Sequence, residues 1–152
     1  MNTGVDATFW HRGYLLTILA TAEETDGGFS LVEGLARKGV SEEPPLHVHT
    51  CEAEYVYLLE GELTFQVGDE LTSATAPTFI ALPRDVPHRF EVASERARFL
   101  HLYVPGGYDG FYRELSEPAR SRVPPPQGPR DAGRLITVAA KYGVEIMSPA
   151  PR

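Results

Sequence analysis

The chain has 152 residues, enough for one domain with a real core and too few for two ordinary ones. A net charge of −7 and a pI near 5.2 leave no basic stripe for a phosphate backbone, which argues against nucleic acid as a partner. A single cysteine, Cys51, excludes an intrachain disulfide framework, and no stretch approaches the ~20 apolar residues of a membrane span, so a cytoplasmic protein without a membrane partner is expected.

Residues 1–27 read as an N-terminal arm with strand character, clearest over Tyr14 to Ala20. From Tyr14 to Arg98, runs rich in Val, Leu, Phe, Tyr and Thr are cut by Gly, Pro, Asp and Glu at roughly eight- to twelve-residue intervals, the rhythm of a sandwich or barrel. The next predicted strands are Phe29 to Ala36, Leu46 to His49, Glu54 to Glu60 and Leu63 to Val67. Glu70 to Ala74, Thr78 to Leu82, Pro87 to Val92 and Ala97 to Val104 follow. Gly61 supplies a tight turn, after which Leu63, Phe65 and Val67 share a face, and Val67-Gly68-Asp69-Glu70 reads as a hairpin connection. Pro44-Pro45 before His47, and Pro83 with Pro87 around His88, either stiffen these segments or are plain loop prolines. Past Val104, Pro105-Gly106-Gly107 breaks the pattern, and apolar residues at 108, 111, 112 and 115 take helical spacing. Residues 116–130, with Pro at 118, 124, 125, 126 and 129, form a tether, and Asp131 caps a helix to Lys141 ended by Gly143. The organisation is an arm over 1–27, a barrel core over 28–104 and a helical, proline-rich extension over 105–152 packing on it.

His47-Val48-His49 carries the chemistry. Side chains repeat every two residues in a strand, so both imidazoles project from one face and reach a common ion. Glu54, beyond a bend at Thr50-Cys51-Glu52, opens the next strand on the face of Val56 and Leu58, and its carboxylate can close the site. His88 opens an alternating run with Phe90 and Val92 and supplies a third imidazole. Such a donor set suits iron, manganese, nickel, cobalt, copper or zinc, with positions left open for water, oxygen or substrate, and disfavours magnesium and calcium. Glu52 is a rival to Glu54 as the carboxylate.

His47-x-His49-x4-Glu54-x6-Gly61 resembles the first motif of the cupins, and Pro83-x-Asp85-x2-His88 resembles the second. The resemblance covers roughly residues 28 to 104. It implies an all-β double-stranded β-helix (jelly-roll) barrel with short C-terminal helices and with His47, His49, Glu54 and His88 as metal ligands inside it. Pro77 and Asp85 stand where glycines are typical, Val92 stands where Asn is common, and Gly39 lies farther ahead of His47, which lengthens the entering loop. Residues 102–115 and 139–146 resemble the tail of single-domain cupins similar to quercetin dioxygenases. Similar cupins occur among polyketide-tailoring proteins, where the metal acts as a Lewis acid. The resemblance also implies a homodimer paired through outer strands.

The expected activity is a metal-dependent dioxygenase acting with oxygen on a small aromatic, phenolic or enolic substrate. The alternatives are a non-redox cyclase or isomerase on a polyketide or sugar-like substrate, and a non-catalytic metal or ligand binder. In either enzyme Glu54 is a ligand or the general base. Val56, Leu58, Phe65, Phe79 and Phe90 either wall a substrate pocket or fill the core. Phe99, His101 and Tyr103 alternate on one strand and face either the cavity or the outside. Tyr108, Phe111 and Tyr112 either cover the barrel mouth as a lid or simply pack.

Overall fold

The computed structural model describes residues 7–38, 45–126 and 131–147. Residues 1–6 of the arm, Gly39, Pro44 and Pro129 lie outside the described residues. The elements run β1 (Thr8–His11), β2 (Tyr14–Ala20), β3 (Ser30–Arg37), β4 (His47–His49), β5 (Ala53–Glu60), β6 (Glu62–Val67) and β7 (Glu70–Thr75). They continue with β8 (Thr78–Leu82), β9 (His88–Val92), β10 (Arg96–Val104), α1 (Asp109–Leu115), β11 (Glu117–Pro118), α2 (Ala132–Lys141) and β12 (Val144–Ile146). Every strand expected from the alternation is found with ends shifted by at most one residue.

The strands form two antiparallel sheets in a jelly-roll arrangement. One has seven strands in the order β11-β1-β2-β3-β10-β5-β8, and the other has five in the order β12-β4-β9-β6-β7. The fold is mostly β, as expected. Three strands escaped the alternation rule. β1 pairs with β2 over Thr8 to His11, β11 adds a two-residue edge to it, and β12 joins the five-stranded sheet against β4. Each is too short to show a period, and register with a neighbour fixes it instead.

β10 is the organising strand. Ala97, Phe99, His101 and Tyr103 point inward and are buried, whereas Leu100 and Leu102 are only partly covered and Val104 is exposed. Phe99 lies opposite Gly34 of β3, and a Cβ on Gly34 would collide with the Phe99 ring, so this glycine lets the aromatic side chain lie flat across its neighbour. Val32, Val56, Leu58, Leu63, Phe65, Leu82 and Phe99 form the best-buried part of the core. Burying one such side chain is worth about 1.5–3 kcal/mol, which is why the inward face is nearly all apolar away from the histidines.

The C-terminal segment is built into the fold. The Asp131 carboxylate accepts the Arg134 N–H at 2.9 Å and caps α2, whose apolar face buries Leu135, Val138 and Ala139. Gly143, at φ 72°, takes the left-handed conformation that ends the helix and turns the chain into β12. There Val144 pairs with His49 and Ile146 with His47. No described helix is long and apolar enough to cross a membrane.

Candidate metal centre

His47, His49, Glu54 and His88 converge, each offering one donor atom, with those atoms all within 4.8 Å of one another and all four residues buried. The sheet register builds the cluster. His47 on β4 pairs directly with His88 on β9, their ring centroids 4.5 Å apart, and His49 stacks parallel to His88 at 5.3 Å. Glu54 reaches the cluster from β5 in the opposite sheet, its Oε2 lying 2.9 Å from His88 Nε2 and 3.9 Å from His49 Nε2.

Two of the rings are oriented by the chain just ahead of them. His47 Nδ1 lies 2.7 Å from the Pro45 carbonyl and His88 Nδ1 lies 3.3 Å from the Val86 carbonyl, so each Nδ1–H donates backward and each Nε2 lone pair faces the cluster. With its Nδ1–H spent on Val86, His88 Nε2 turns a lone pair toward Glu54 Oε2 at 2.9 Å, and two buried acceptors face one another as ligands of a shared ion would. Burial, reinforced by the His88 and His49 imidazoles, lowers His47 to about 3, so it is a neutral donor at neutral pH. For Glu54, burial pushes the carboxyl up, but the charge and hydrogen bond of His101, joined by His88, outweigh it and hold the group well below the usual carboxylate range. Imidazole nitrogens beside an ionised carboxylate fit a divalent transition metal.

One departure from the family pattern, and the rival carboxylate, find their reasons here. Asp85, where a glycine is typical, has φ 67°, a left-handed conformation that aspartate tolerates better than most residues. Its N–H donates to the His49 carbonyl at 2.9 Å, which ties the turn before His88 to the strand carrying His47 and His49. Glu52 stands outside the donor cluster, behind His49. It is buried, with Oε1 3.6 Å from His49 Nδ1, and neither His49 Nδ1 nor Glu52 Oε2 has a hydrogen-bond partner among the described residues.

A cavity of about 70 Å³ opens beside the cluster. At roughly 10–15 Å³ per water it holds on the order of five waters, room for a small molecule or one ring of a larger one. Phe90, Phe99, His101 and Tyr103 line it, which answers the parity question on β10 in favour of the inward face. Tyr108, Phe111 and Tyr112 line it from α1 and its cap, with Tyr108 4.7 Å from the His49 ring. The other expected wall residues do not belong to it. Val56, Leu58 and Phe65 are fully buried in the core and absent from the lining. Phe79 is 60 % exposed, because β8 turns Ile80 and Leu82 inward and leaves Phe79 stacked on Tyr55 outside. Residues missed at the level of sequence complete the lining, among them His11, Leu135, Val144 and Ile146. His11 Nδ1 lies 2.8 Å from Ser116 Oγ, and its ring packs on Phe111 and Tyr112. The α2 period would have flagged Leu135, whereas β1 and β12 are too short to flag the others.

Residues 37–103 match the cupin domain family model. The chain is 26 % identical over 134 residues to quercetin 2,3-dioxygenase of Bacillus subtilis (strain 168), an alignment that takes in 87 % of this chain and 39 % of that protein. The chain thus spans about two-fifths of the length of the curated relative it matches. Among solved structures, KdgF from Halomonas sp. superposes with a TM-score of 0.58 at 15 % identity, covering 66 % of this chain and 86 % of that one. An RmlC-like cupin from Shewanella frigidimarina gives 0.56 at 20 % identity, covering 66 % and 83 %. A predicted oxalate decarboxylase from Thermotoga maritima gives 0.57 at 19 %, covering 60 % and 80 %. These likenesses establish the fold.

Proposed function

This chain is a cupin-superfamily protein, and from that premise we propose that it is a metal-dependent dioxygenase of the quercetinase-like type acting on a small aromatic, phenolic or enolic substrate. One observation carries the reading: three imidazoles and one carboxylate meet at a cavity walled by Phe90, Phe99, Tyr103 and Tyr108, beside the relationship to a quercetin 2,3-dioxygenase. His47, His49, Glu54 and His88 would hold one divalent iron, manganese, nickel, cobalt, copper or zinc ion. Such an ion supplies open coordination positions where a substrate oxygen and O2 can be brought together.

The residues of the chain do the rest. The aromatic walls bind a flat ring and exclude bulk water. Glu54 Oε2 is the atom available to ligate the ion or to take the hydroxyl proton of a phenol or enol, because Oε1 is engaged by His101 at 2.5 Å. His101 Nε2 and the hydroxyls of Tyr103 and Tyr112, 2.5 Å from each other, offer polar contacts deep in an otherwise apolar wall. Tyr108, Phe111 and Tyr112 cover the cavity from the α1 side. The barrel core is taken to span residues 28–104, with the extension over 105–152 packing on it. A homodimer joined through outer strands is supported by Tyr57 and Phe79, exposed neighbours at the edge of the seven-stranded sheet. The expected setting is the cytoplasm.

A second reading, non-redox cyclase, isomerase or other Lewis-acid chemistry, draws on the same donor set and on the likeness to a predicted oxalate decarboxylase. The deciding experiment measures bound metals by elemental mass spectrometry in untagged protein and in His49→Ala, and follows oxygen uptake with a panel of phenols and enols. Near-stoichiometric redox-active metal, lost in the variant and accompanied by oxygen consumption, supports the dioxygenase. Zinc with turnover but no oxygen uptake moves the assignment to the non-redox class. Metal in neither protein overturns the site.

A further inference from the structure

Glu54 is the lone member of the donor cluster that comes from the seven-stranded sheet, and its two oxygens face different partners. Oε2 faces the imidazoles of His88 and His49, whereas Oε1 lies 2.5 Å from Nδ1 of His101. We propose that His101 is a positioning residue that clamps Glu54 as a one-oxygen ligand, a role that rests on the reading of Glu54 as part of a metal centre.

The clamp follows from the register of β5 and β10. Tyr103 lies opposite Glu54 and His101 opposite Val56, so His101 is the diagonal neighbour of Glu54 on the inward face, within reach of a long side chain. A carboxylate only accepts hydrogen bonds, so the proton between the two atoms belongs to Nδ1 of His101, which donates. The donor is itself immobilised. His101 is 4 % exposed, with its ring edge-on to Phe99 at 4.9 Å, tilted against Phe90 at 5.8 Å and parallel to Tyr103 at 6.0 Å. Its contacts come from both sheets, so it cannot follow Glu54 if the carboxylate turns.

The consequence is a fixed denticity. A carboxylate that grips an ion with both oxygens must turn both toward it, and His101 holds one of them away. An ion held there would be offered three nitrogens and one oxygen by the protein, with the cavity beside them for a further ligand. Without the clamp, Glu54 would be a single flexible side chain opposite three rings held by their own strands.

The test uses Co(II) alone as the probe, with dissociation constants from calorimetric titration and coordination from the visible d–d spectrum. His101→Leu removes the donor. His101→Asn puts an amide N–H where Nδ1 stood, and His101→Gln carries its amide farther out, beyond Oε1. The expected result is wild-type affinity and spectrum for the asparagine variant. The leucine and glutamine variants should lose roughly 10–100-fold in affinity and show an altered spectrum, the range typical of groups that orient a metal ligand. Should the leucine variant fail to fold, the asparagine–glutamine comparison decides. Wild-type affinity and spectrum in the leucine or glutamine variant, or a loss in the asparagine variant equal to theirs, overturns the clamp while leaving the metal centre standing. Failure of the unaltered protein to bind Co(II) overturns the metal centre itself, and the clamp with it.

Discussion

His47 and His88 are direct cross-strand partners where β4 meets β9, and each ring is oriented by the carbonyl two residues upstream, Pro45 for one and Val86 for the other. The two rings are therefore aimed by backbone, and either can be removed without unpicking a side-chain network. His88→Ala is expected to reduce bound metal from near-stoichiometric to background while the far-UV circular dichroism is unchanged. The loss should exceed the roughly 10–100-fold that outer partners of a ligand are worth. Metal retained at wild-type stoichiometry in His88→Ala would remove this residue from the donor set.

Glu52 faces the back of His49 across 3.6 Å, buried and without another partner for its Oε2 among the described residues. At that distance the carboxylate acts on the ring through its charge rather than a hydrogen bond, and a negative charge behind a ligating imidazole strengthens its far nitrogen as a metal ligand. Glu52→Ala should weaken metal binding by about 10–100-fold, and Glu52→Gln, which keeps an acceptor oxygen without the charge, should fall between. Titration of metal-free protein with Zn(II) reads both. Equal affinities in all three proteins would make Glu52 a bystander.

Asp85 holds its left-handed backbone conformation at φ 67° while its N–H is tied to the strand carrying His49. Glycine is unstrained there and valine is not, at a cost of about 1–2 kcal/mol for a side chain in that region. Asp85→Gly is expected to fold with unchanged or slightly raised stability and Asp85→Val to lose at least that amount, as measured by urea unfolding. Equal stability in the two variants would mean that the turn relaxes to a different backbone.

Burial, then the charge of Glu54 and the neighbouring hydroxyls, pushes Tyr103 and Tyr108 well above their ordinary value, and burial with Glu54 raises Tyr112 likewise. Raised phenol values mean that the folded state keeps protons which the unfolded chain gives up near pH ~10. These groups therefore cost no stability below about pH 10, and stability falls as the pH rises past that point. In metal-free protein, absorbance at the tyrosinate band should show these tyrosines ionising together with loss of circular dichroism. Their ionisation in a protein that is still folded would contradict the buried placement.

The metal cluster was legible because its signal is short-range. His47 and His49 share a face by the period of the strand, and Glu54 opens the next strand with its apolar neighbours on the same side. What stayed open or was missed depended on parity within strands that carry apolar side chains on both faces. On β10 the outward Leu100 and Leu102 are themselves half-buried, so hydrophobicity could not say that His101 points in. β8 carries apolar side chains on both faces, and only its pairing with β5 sends Phe79 outside next to Tyr57. Glu52 looked like a rival ligand at three residues beyond His49, and the bend in the chain puts it behind the ring instead. β12 spans three residues, fewer than any period needs, yet it pairs with the strand that carries two of the histidines.

The four converging side chains are unevenly shared between the layers of the fold: His47, His49 and His88 belong to the five-stranded sheet and Glu54 to the seven-stranded one. Between the layers, Phe90 of one sheet packs on Tyr14 and Phe99 of the other, contacts that slide and part without breaking a directional bond. An ion gripped by all four would act as a rivet driven through both sheets. Prising the layers apart would then mean tearing a coordination bond, and at a concentration of a thousand times its dissociation constant such a rivet adds about 4 kcal/mol to the resistance of the whole body to unfolding. Mechanical integrity and chemical readiness would thereby be set by the same bolt.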